Sequence, residues 1–343
     1  MPLVLGKART HRRLFRQGDG HSHPRPSDIA QEADVSMQPN RRRNPHFAGR
    51  VGNALLFVAL TLAGIGAAAR PAAAQSVELR WKLEAGTELG YRTATRTETQ
   101  LPQGMGTSTT SMDTTERWSV LGVDGDGNAT IRLTTEHVRM SMEGPMGTMS
   151  VDSANEADSG SSALDAVTAM AGTSYSVVLD PRGTMVELSG LEELRDALAA
   201  RISDPAAQAM LDQTLSEEAL RGQWQLGMTA LPAGAVGVGS TWQNDITVSL
   251  PPAGTMTAAF SNEVESIDGD LVVMAGSGNM SVSDGSVVRS PTPIPVTLGD
   301  ATLTGTSRFE AGRGLLLAAE VTMAAQMSMT TVGQEPSWTW SRR

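Results

Sequence analysis

From Val77 onward, apolar and polar residues alternate one by one over long stretches of the chain. In TELGYRTATRTETQ, residues 87–100, Leu89 and Tyr91 fall on one face while charged side chains fall on the other, which is typical of a half-buried strand. The segments DGDGN and DPRG separate pairs of such stretches and contain the residues of tight turns. This pattern predicts a mainly β (α+β) protein with curved antiparallel sheets.

The stretch ATIRLTTEHVRMSM, residues 129–142, changes phase partway along. Ile131 and Leu133 occupy odd positions, whereas Val138 and Met140 occupy even ones. One extra residue near Glu136 and His137 accounts for the change, so we predict a β-bulge there.

The stretch GLLLAAEVTMAAQMSMTT, residues 314–331, fits two periods. Every second residue from Leu315 to Met329 is apolar, which predicts a strand, but the alanine content also permits a helix with Met323 and Met327 on one side. The Ser and Thr residues, and the alternation of the neighbouring DATLTGTSRFE, favour the strand. We therefore predict a long strand that is buried on one face.

The middle of the chain changes to a helical period. Ser189 and Glu192 have the spacing of a capping box in front of an apolar stripe, which predicts a helix of about four turns. Asp204-Pro205 predicts the start of a second helix, because proline is favoured at the first helical position. Ser216 predicts the start of a short third helix.

The second β-rich half repeats features of the first in the same order. GVGSTWQNDITVSL at 237–250 matches EAGTELGYRTATRT at 84–97, and a strand, an Asp-Gly-Asp turn and a second strand follow in both halves. SRFEAGRGLLLAAEV likewise matches YSVVLDPRGTMVEL. These parallels predict an internal duplication, although short Gly-Asp turns also recur by chance.

The N-terminal part has the composition of an export signal. Basic residues at 41–43 precede the apolar segment at 51–69, and PAAAQS then offers small residues to a signal peptidase, with cleavage predicted between Ala74 and Gln75. A retained transmembrane anchor is the alternative. Residues 1–36 contain too few apolar side chains to fold alone, so we expect them to be disordered or to precede a true start at Met37. A basic tail that binds nucleic acid is the other interpretation.

The predicted organisation follows from these segments. It consists of a disordered or wrongly assigned N-terminal extension at 1–36, a signal peptide at 37–74, a first β-rich half at 75–188, a helical segment at 189–221 and a second β-rich half at 222–343. The predicted location is periplasmic or extracellular.

Charge and cysteine content narrow the classes of partner. The whole chain carries a formal net charge of −10, and the part after Ala74, with 16 Lys or Arg against 33 Asp or Glu, carries −17. Such a surface repels nucleic acid and anionic lipid headgroups. The chain contains no cysteine, which excludes disulfides, thiolate metal sites and a lipid anchor on cysteine.

The chain after Ala74 contains few of the residues that commonly act in catalysis. After Ala74 the chain has one histidine, His137, one lysine, Lys82, and no G-x-S-x-G motif, so Ser-His, Ser-Lys and Cys-His pairs have little to be built from. Ligand sets rich in His or Cys are also absent from the sequence. We therefore predict no catalytic residues, no metal site and no cofactor.

Methionine is the most informative apolar residue. After Ala74 there are 16 Met but only two Phe, and flexible, polarisable thioethers suit surfaces that adapt to varied apolar ligands. The alternative is that methionine simply fills the core. The candidate ligand-binding residues, all on alternating positions of predicted strands, are Met140, Met142, Met274, Met280, Met323, Met327 and Met329.

Four segments carry a family resemblance: LEAGTELGYRTATRTETQ, SVLGVDGDGNATIRLTTEHVRM, VVLDPRGTMVELSG and LPAGAVGVGSTWQND. With them the chain resembles a family of secreted bacterial proteins of unknown function, over most of residues 77–340. The family has no established activity, so the resemblance implies no site residues. In architecture the chain is also similar to periplasmic lipoprotein carriers, in which helices close a curved antiparallel sheet.

The sequence thus predicts a non-catalytic secreted or periplasmic envelope protein. Its expected partner is an apolar small molecule or lipid, held in a Met-lined concavity of the sheet, with no nucleic acid and no membrane anchor after cleavage. Two other classes stay open: a secreted hydrolase that uses acidic residues, and an outer-membrane β-barrel.

Overall fold

The computed structural model describes residues 3–15, 76–101, 106–145, 147–155, 167–202, 208, 212, 215–228, 230–250, 254–283 and 296–329. Strands dominate these residues. The strands are β1 (Leu3–Phe15), β2 (Glu88–Gln100), β3 (Thr107–Val123), β4 (Ala129–Gly144), β5 (Gly147–Asp152), β6 (Ser174–Leu179), β7 (Met185–Ser189), β8 (Thr241–Leu250), β9 (Gly254–Asp268), β10 (Leu271–Ser283), β11 (Val296–Glu310) and β12 (Leu315–Met329). The helices are α1 (Leu191–Ala199) and α2 (Glu217–Gly227).

All twelve strands belong to one antiparallel sheet. Its order is β7-β6-β4-β3-β2-β1-β12-β11-β10-β9-β8, with β5 paired to β4 beside this path. The predicted mainly β class is confirmed. Strands β2–β7 form a first meander and β8–β12 a second, and β1 lies between them. The internal duplication stays a prediction.

The sheet is open but strongly curled. Neighbouring strands lie about 4.8 Å apart, so in a flat sheet the two edge strands, ten spacings apart, would be separated by about 48 Å. Instead, Met185 of β7 and Ile246 of β8 line the same cavity, together with Trp224 of α2. The edges therefore approach each other, and α2 lies in the gap between them.

The stretch with two possible periods is a strand. Strand β12 pairs with β11 on one side and β1 on the other. Ala325 is buried, and Val321 and Met323 pack against a buried cluster. These residues share the inner face, by which we mean the side of the sheet that carries the core. The strand prediction is confirmed. The alanine-rich sequence alone is compatible with helix or strand, but backbone pairing with β1 and β11 makes it a strand.

The predicted bulge and turns are present. Thr115 pairs with His137 and Glu116 with Thr135, so Glu136 is the extra residue of the bulge in β4. In the DPRG turn, one carboxylate oxygen of Asp180 accepts from the backbone N–H groups of residues 182 and 184, at 2.9 and 2.7 Å. Gly183 takes a φ of 88°, which favours glycine.

The helical segment differs from its prediction at its start. Ser189 is the last residue of β7, and α1 follows Gly190, whose φ of 82° is left-handed and which provides no side-chain cap. The predicted capping box is wrong, because strand pairing of Ser189 with Ser176 takes the cap residue. Ser216 does cap α2 by accepting from the N–H of Ala219. Asp204-Pro205 lies outside the described residues.

The N-terminal extension is not wholly disordered. Leu3–Phe15 forms β1, which pairs with β2 through Gly6–Phe15 and with β12 through Leu3–Arg13. The prediction of disorder is wrong for these residues because composition ignores backbone pairing. Two flanking strands satisfy the peptide groups of β1, and Leu14 packs against the core, so the segment is ordered.

Aromatic residues form the centre of the core. Trp118 of β3 is fully buried, and its ring lies 4.6 Å from Tyr91, 5.3 Å from Trp224 and 6.2 Å from Trp81, measured between centroids. Trp81 in turn meets Phe309 of β11 edge-on at 5.9 Å. This cluster joins both meanders and α2 into one core.

The surroundings of His11 on β1 predict that the free energy of unfolding depends weakly on pH. Burial lowers the pKa of His11 below 6.5, and Arg9 and Arg13 act in the same direction against the opposing effect of Glu320. The unfolded chain therefore binds a proton near pH 6.5, while the folded chain resists it, so the free energy of unfolding falls as pH drops below about 6.5. Urea unfolding at pH 7.5 and 5.5 measures this loss.

The matched variant for that measurement is His11→Gln, which cannot titrate. We expect it to lose less stability than the wild type between the two pH values. An equal loss in both proteins would assign the pH dependence to other groups.

Candidate ligand cavity

An apolar cavity lies on the inner face of the second meander. We call it the inner cavity; it has a volume of about 40 Å³ and is closed on one side by the segment that follows α2. Strands β8 to β12 supply its wall, because their inward positions converge where the sheet curls. Its main lining side chains are Trp81, Met228, Trp242, Phe260, Met274 and Phe309.

Three glycines on the sheet leave the space that the Phe260 ring fills. A Cβ at Gly278 would lie 3.1 Å from the Phe260 ring, and one at Gly276 would lie 2.5 Å from its Cζ atom. Gly305 lines the same place, with Cζ of Phe260 at 3.8 Å from its Cβ position. The Phe260 ring therefore lies over a bed of glycines and bounds the inner cavity.

One polar side chain points into this apolar surrounding without a partner. Asn262 is 4 % exposed, lines the inner cavity, and its Nδ2 has no hydrogen-bond partner among the described residues. By contrast, Nδ2 of Asn244 donates to the carbonyl of Ala230 at 3.0 Å. A buried amide without a partner costs about 1–3 kcal/mol, so this site favours a ligand that accepts a hydrogen bond.

A larger cavity lies on the other side of Met228. This outer cavity measures about 250 Å³ and lies between α2 and the two sheet edges. Arg221, Gln225 and Asp245 give it a polar rim, whereas Trp224 and Met228 form its apolar end. Met228 lines both cavities, and its side chain has three flexible torsions.

The predicted methionines are not gathered at one place. Met274 lines the inner cavity, Met280 is fully buried in the adjoining cluster, and Met323 packs against that cluster. Met140 and Met142 lie on β4 in the first meander, where Met142 is 38 % exposed. The side chains of the two remaining candidates, Met327 and Met329, lie outside the described part of β12.

The residues that sequence reasoning missed are Phe260, Asn262 and Trp242. Alternation in FSNEV places Asn262 on the same face as Phe260 and Val264, and an amide between two apolar inward positions is the signal that could have found it. The glycines at 276, 278 and 305 were a second signal, because glycine inside a strand often marks a close approach.

His137 forms a hydrogen bond with Asp152 away from the cavities. Its Nε2 lies 2.6 Å from Oδ1 of Asp152, which ties β4 to β5. Burial opposes ionisation of Asp152, but hydrogen bonds from Ala154 and His137 outweigh it and lower the pKa of this carboxyl.

Within the described residues, no group of three or more His, Cys, Asp or Glu is placed to hold a metal ion. None of the described helices is long and apolar enough to span a bilayer.

Fold and cavity together define a mainly β protein whose curled, open antiparallel sheet encloses apolar space beside one helix. Residues 126–316, more than half of the 343-residue chain, match the Family of unknown function (DUF6263), and the chain belongs to this family. The resemblance to a family of unknown function is thereby confirmed. Comparison with curated proteins and with solved structures gives no match.

Proposed function

We propose that this protein is an exported, non-catalytic binding protein for an apolar molecule that carries a hydrogen-bond acceptor, such as an acyl ester. One observation carries the proposal: Nδ2 of Asn262 has no hydrogen-bond partner among the described residues, and it lies in a cavity whose lining is mainly apolar. An ester carbonyl would accept from Nδ2, while the hydrocarbon would contact Phe260 and Met274. Specific binding sites commonly combine apolar walls with a few placed polar groups.

The size of the cavities sets how such a ligand would enter. The inner cavity alone, at about 40 Å³, has room for a few atoms, and the outer cavity offers about 250 Å³. Ligand sites for small molecules usually need about 300 Å³ or more. An acyl chain therefore requires Met228 to move aside, so that the chain extends from the outer cavity towards Asn262.

The Asn262→Leu variant tests this proposal. We expect the free energy of unfolding of the ligand-free protein to rise by about 1 kcal/mol, because a buried polar group without a partner is removed. Affinity for methyl dodecanoate should fall about 2- to 10-fold, since one hydrogen bond is lost. Urea unfolding measures the first effect, and displacement of a fluorescent apolar dye measures the second.

Two controls make the test specific. Tridecane has no acceptor, so its affinity should not fall in Asn262→Leu. Asn244→Leu removes an amide that is already bonded to Ala230, so this variant should lose stability where Asn262→Leu gains it. Failure of the wild type to bind either compound, or an unchanged preference for the ester in Asn262→Leu, would overturn the proposal.

A further inference from the structure

Strand β1 is remote in sequence from both strands that it joins. It ends at Phe15, whereas β2 begins at Glu88 and β12 at Leu315. The predicted signal-peptidase site after Ala74 lies between β1 and β2. Export with cleavage there would remove β1 together with the signal and leave its place between β2 and β12 open.

The cleft that holds β1 is supported by contacts in which β1 takes no part. The hydroxyl of Tyr91 on β2 donates to the carbonyl of Leu316 on β12 at 3.2 Å. The backbone N–H of Lys82 donates to Gly314 at 3.2 Å, and Val77 forms an antiparallel bridge with Val236. The first two contacts link the β2 side of the cleft to β12 and to the turn before it, and the third links the two meanders elsewhere, so none of them needs β1.

The contacts of β1 divide into a general and a specific part. Backbone pairing with β2 and β12 accepts any extended peptide. Specificity comes from Arg12, whose Nη2 donates to Oε2 of Glu116 at 2.6 Å. Its guanidinium also lies over the rings of Tyr91 and Trp118, at 4.9 and 4.7 Å from their centroids. A slip of one residue would turn Arg12 to the outer face, so Arg12 sets the register.

Other features of β1 weaken its hold. Its register places Arg9 opposite Arg96 and Arg13 opposite Arg92, and like charges directly opposite each other are unfavourable. The ion pair between Arg9 and Glu320 offsets part of this repulsion on the β12 side. A strand that is held largely by backbone pairing, with Arg12 as its register-setting side chain and like charges opposite Arg9 and Arg13, is suited to exchange.

We propose that the cleft between β2 and β12 is a strand-acceptor site. Leu3–Phe15 fills it in the intact chain, and an extended polypeptide segment with an arginine placed to reach Glu116 fills it in exchange. This site differs from the ligand cavities and would remain if those bound nothing.

The test uses the full chain with a thrombin site placed between Gly18 and Ala73, so that β1 can be released by cutting. A fluorescein-labelled peptide of residues 1–17 is then added, and uptake is followed by fluorescence anisotropy. We expect uptake that replaces the original strand. An Arg12→Ala peptide should bind at least tenfold more weakly, and a Thr10→Pro peptide should not bind, because proline removes a ladder N–H group.

A disulfide lock supplies the matched control. The hydroxyls of Thr10 and Thr95 lie 3.2 Å apart on paired positions, and the chain has no other cysteine, so Thr10→Cys with Thr95→Cys can be linked uniquely. The oxidised chain should take up no peptide and the reduced chain should. Equal uptake of the Thr10→Pro peptide, no uptake by a cut chain that keeps its circular dichroism spectrum, or unfolding on cutting would each overturn the proposal.

Discussion

Trp118→Ala should lower the free energy of unfolding by about 4 kcal/mol, a large part of the stability of an ordinary domain. Trp118 is fully buried and packs against the rings of Trp81, Tyr91 and Trp224. Truncation would leave a cavity where both meanders and α2 meet, and the surrounding strands cannot collapse into it without losing their pairing. Urea unfolding followed by circular dichroism measures the loss.

Leu121→Ala is the control on the same strand. Leu121 is 50 % exposed, so we expect its truncation to change the free energy of unfolding by no more than about 0.5 kcal/mol. A small effect of Trp118→Ala, close to that of Leu121→Ala, would mean that the aromatic cluster is not the joint between the meanders.

The features that the sequence predicts well are those decided by local chemistry. Alternation gives the strands, Asp180 and Gly183 give a turn, and Ser216 gives a helix start, because each depends on residues a few positions away. The capping-box prediction is wrong because it used local spacing alone. Ser189 has the right spacing for a cap, but its pairing with the distant Ser176 makes it part of β7.

Features decided by distant pairing are beyond local reasoning. Strand β1 is ordered by pairing with β12, roughly 300 residues away along the chain, and the composition of residues 1–36 does not indicate this pairing. The candidate site shows the same limit. Alternation tells which methionines face inward, but only the curl of the sheet brings Met274 to the inner cavity and leaves Met140 and Met142 elsewhere.

Asn262 is a residue of the candidate site that the sequence pattern could have indicated. An amide at an inward position between Phe260 and Val264 contradicts the apolar pattern of its face, and such conflicts tend to mark functional places. The sequence cannot tell whether the amide has a partner, because Asn244 lies at an inward position too and is bonded to Ala230. Only the geometry separates the two.

Gly314→Ala is the second change with a large expected effect. Gly314 closes the turn between β11 and β12 with a φ of 64°, and a Cβ there would lie 2.6 Å from the carbonyl oxygen of Arg80 and equally close to Cβ of Lys82. Backbone cannot give way as a flexible side chain can. The change would therefore push the segment that contains Trp81 away from the core and break the bond from Lys82 N–H to the Gly314 carbonyl.

We expect Gly314→Ala to cost about 3 kcal/mol in the free energy of unfolding, from backbone strain together with overpacking. Gly86→Ala separates the two causes: Gly86 has a φ of 83° but open space around its Cβ position, so it should cost only about 1 kcal/mol. The difference between the variants, measured by urea unfolding, isolates the contact between this turn and residues 80–82. Equal losses would show that this contact adds nothing to the free energy of unfolding.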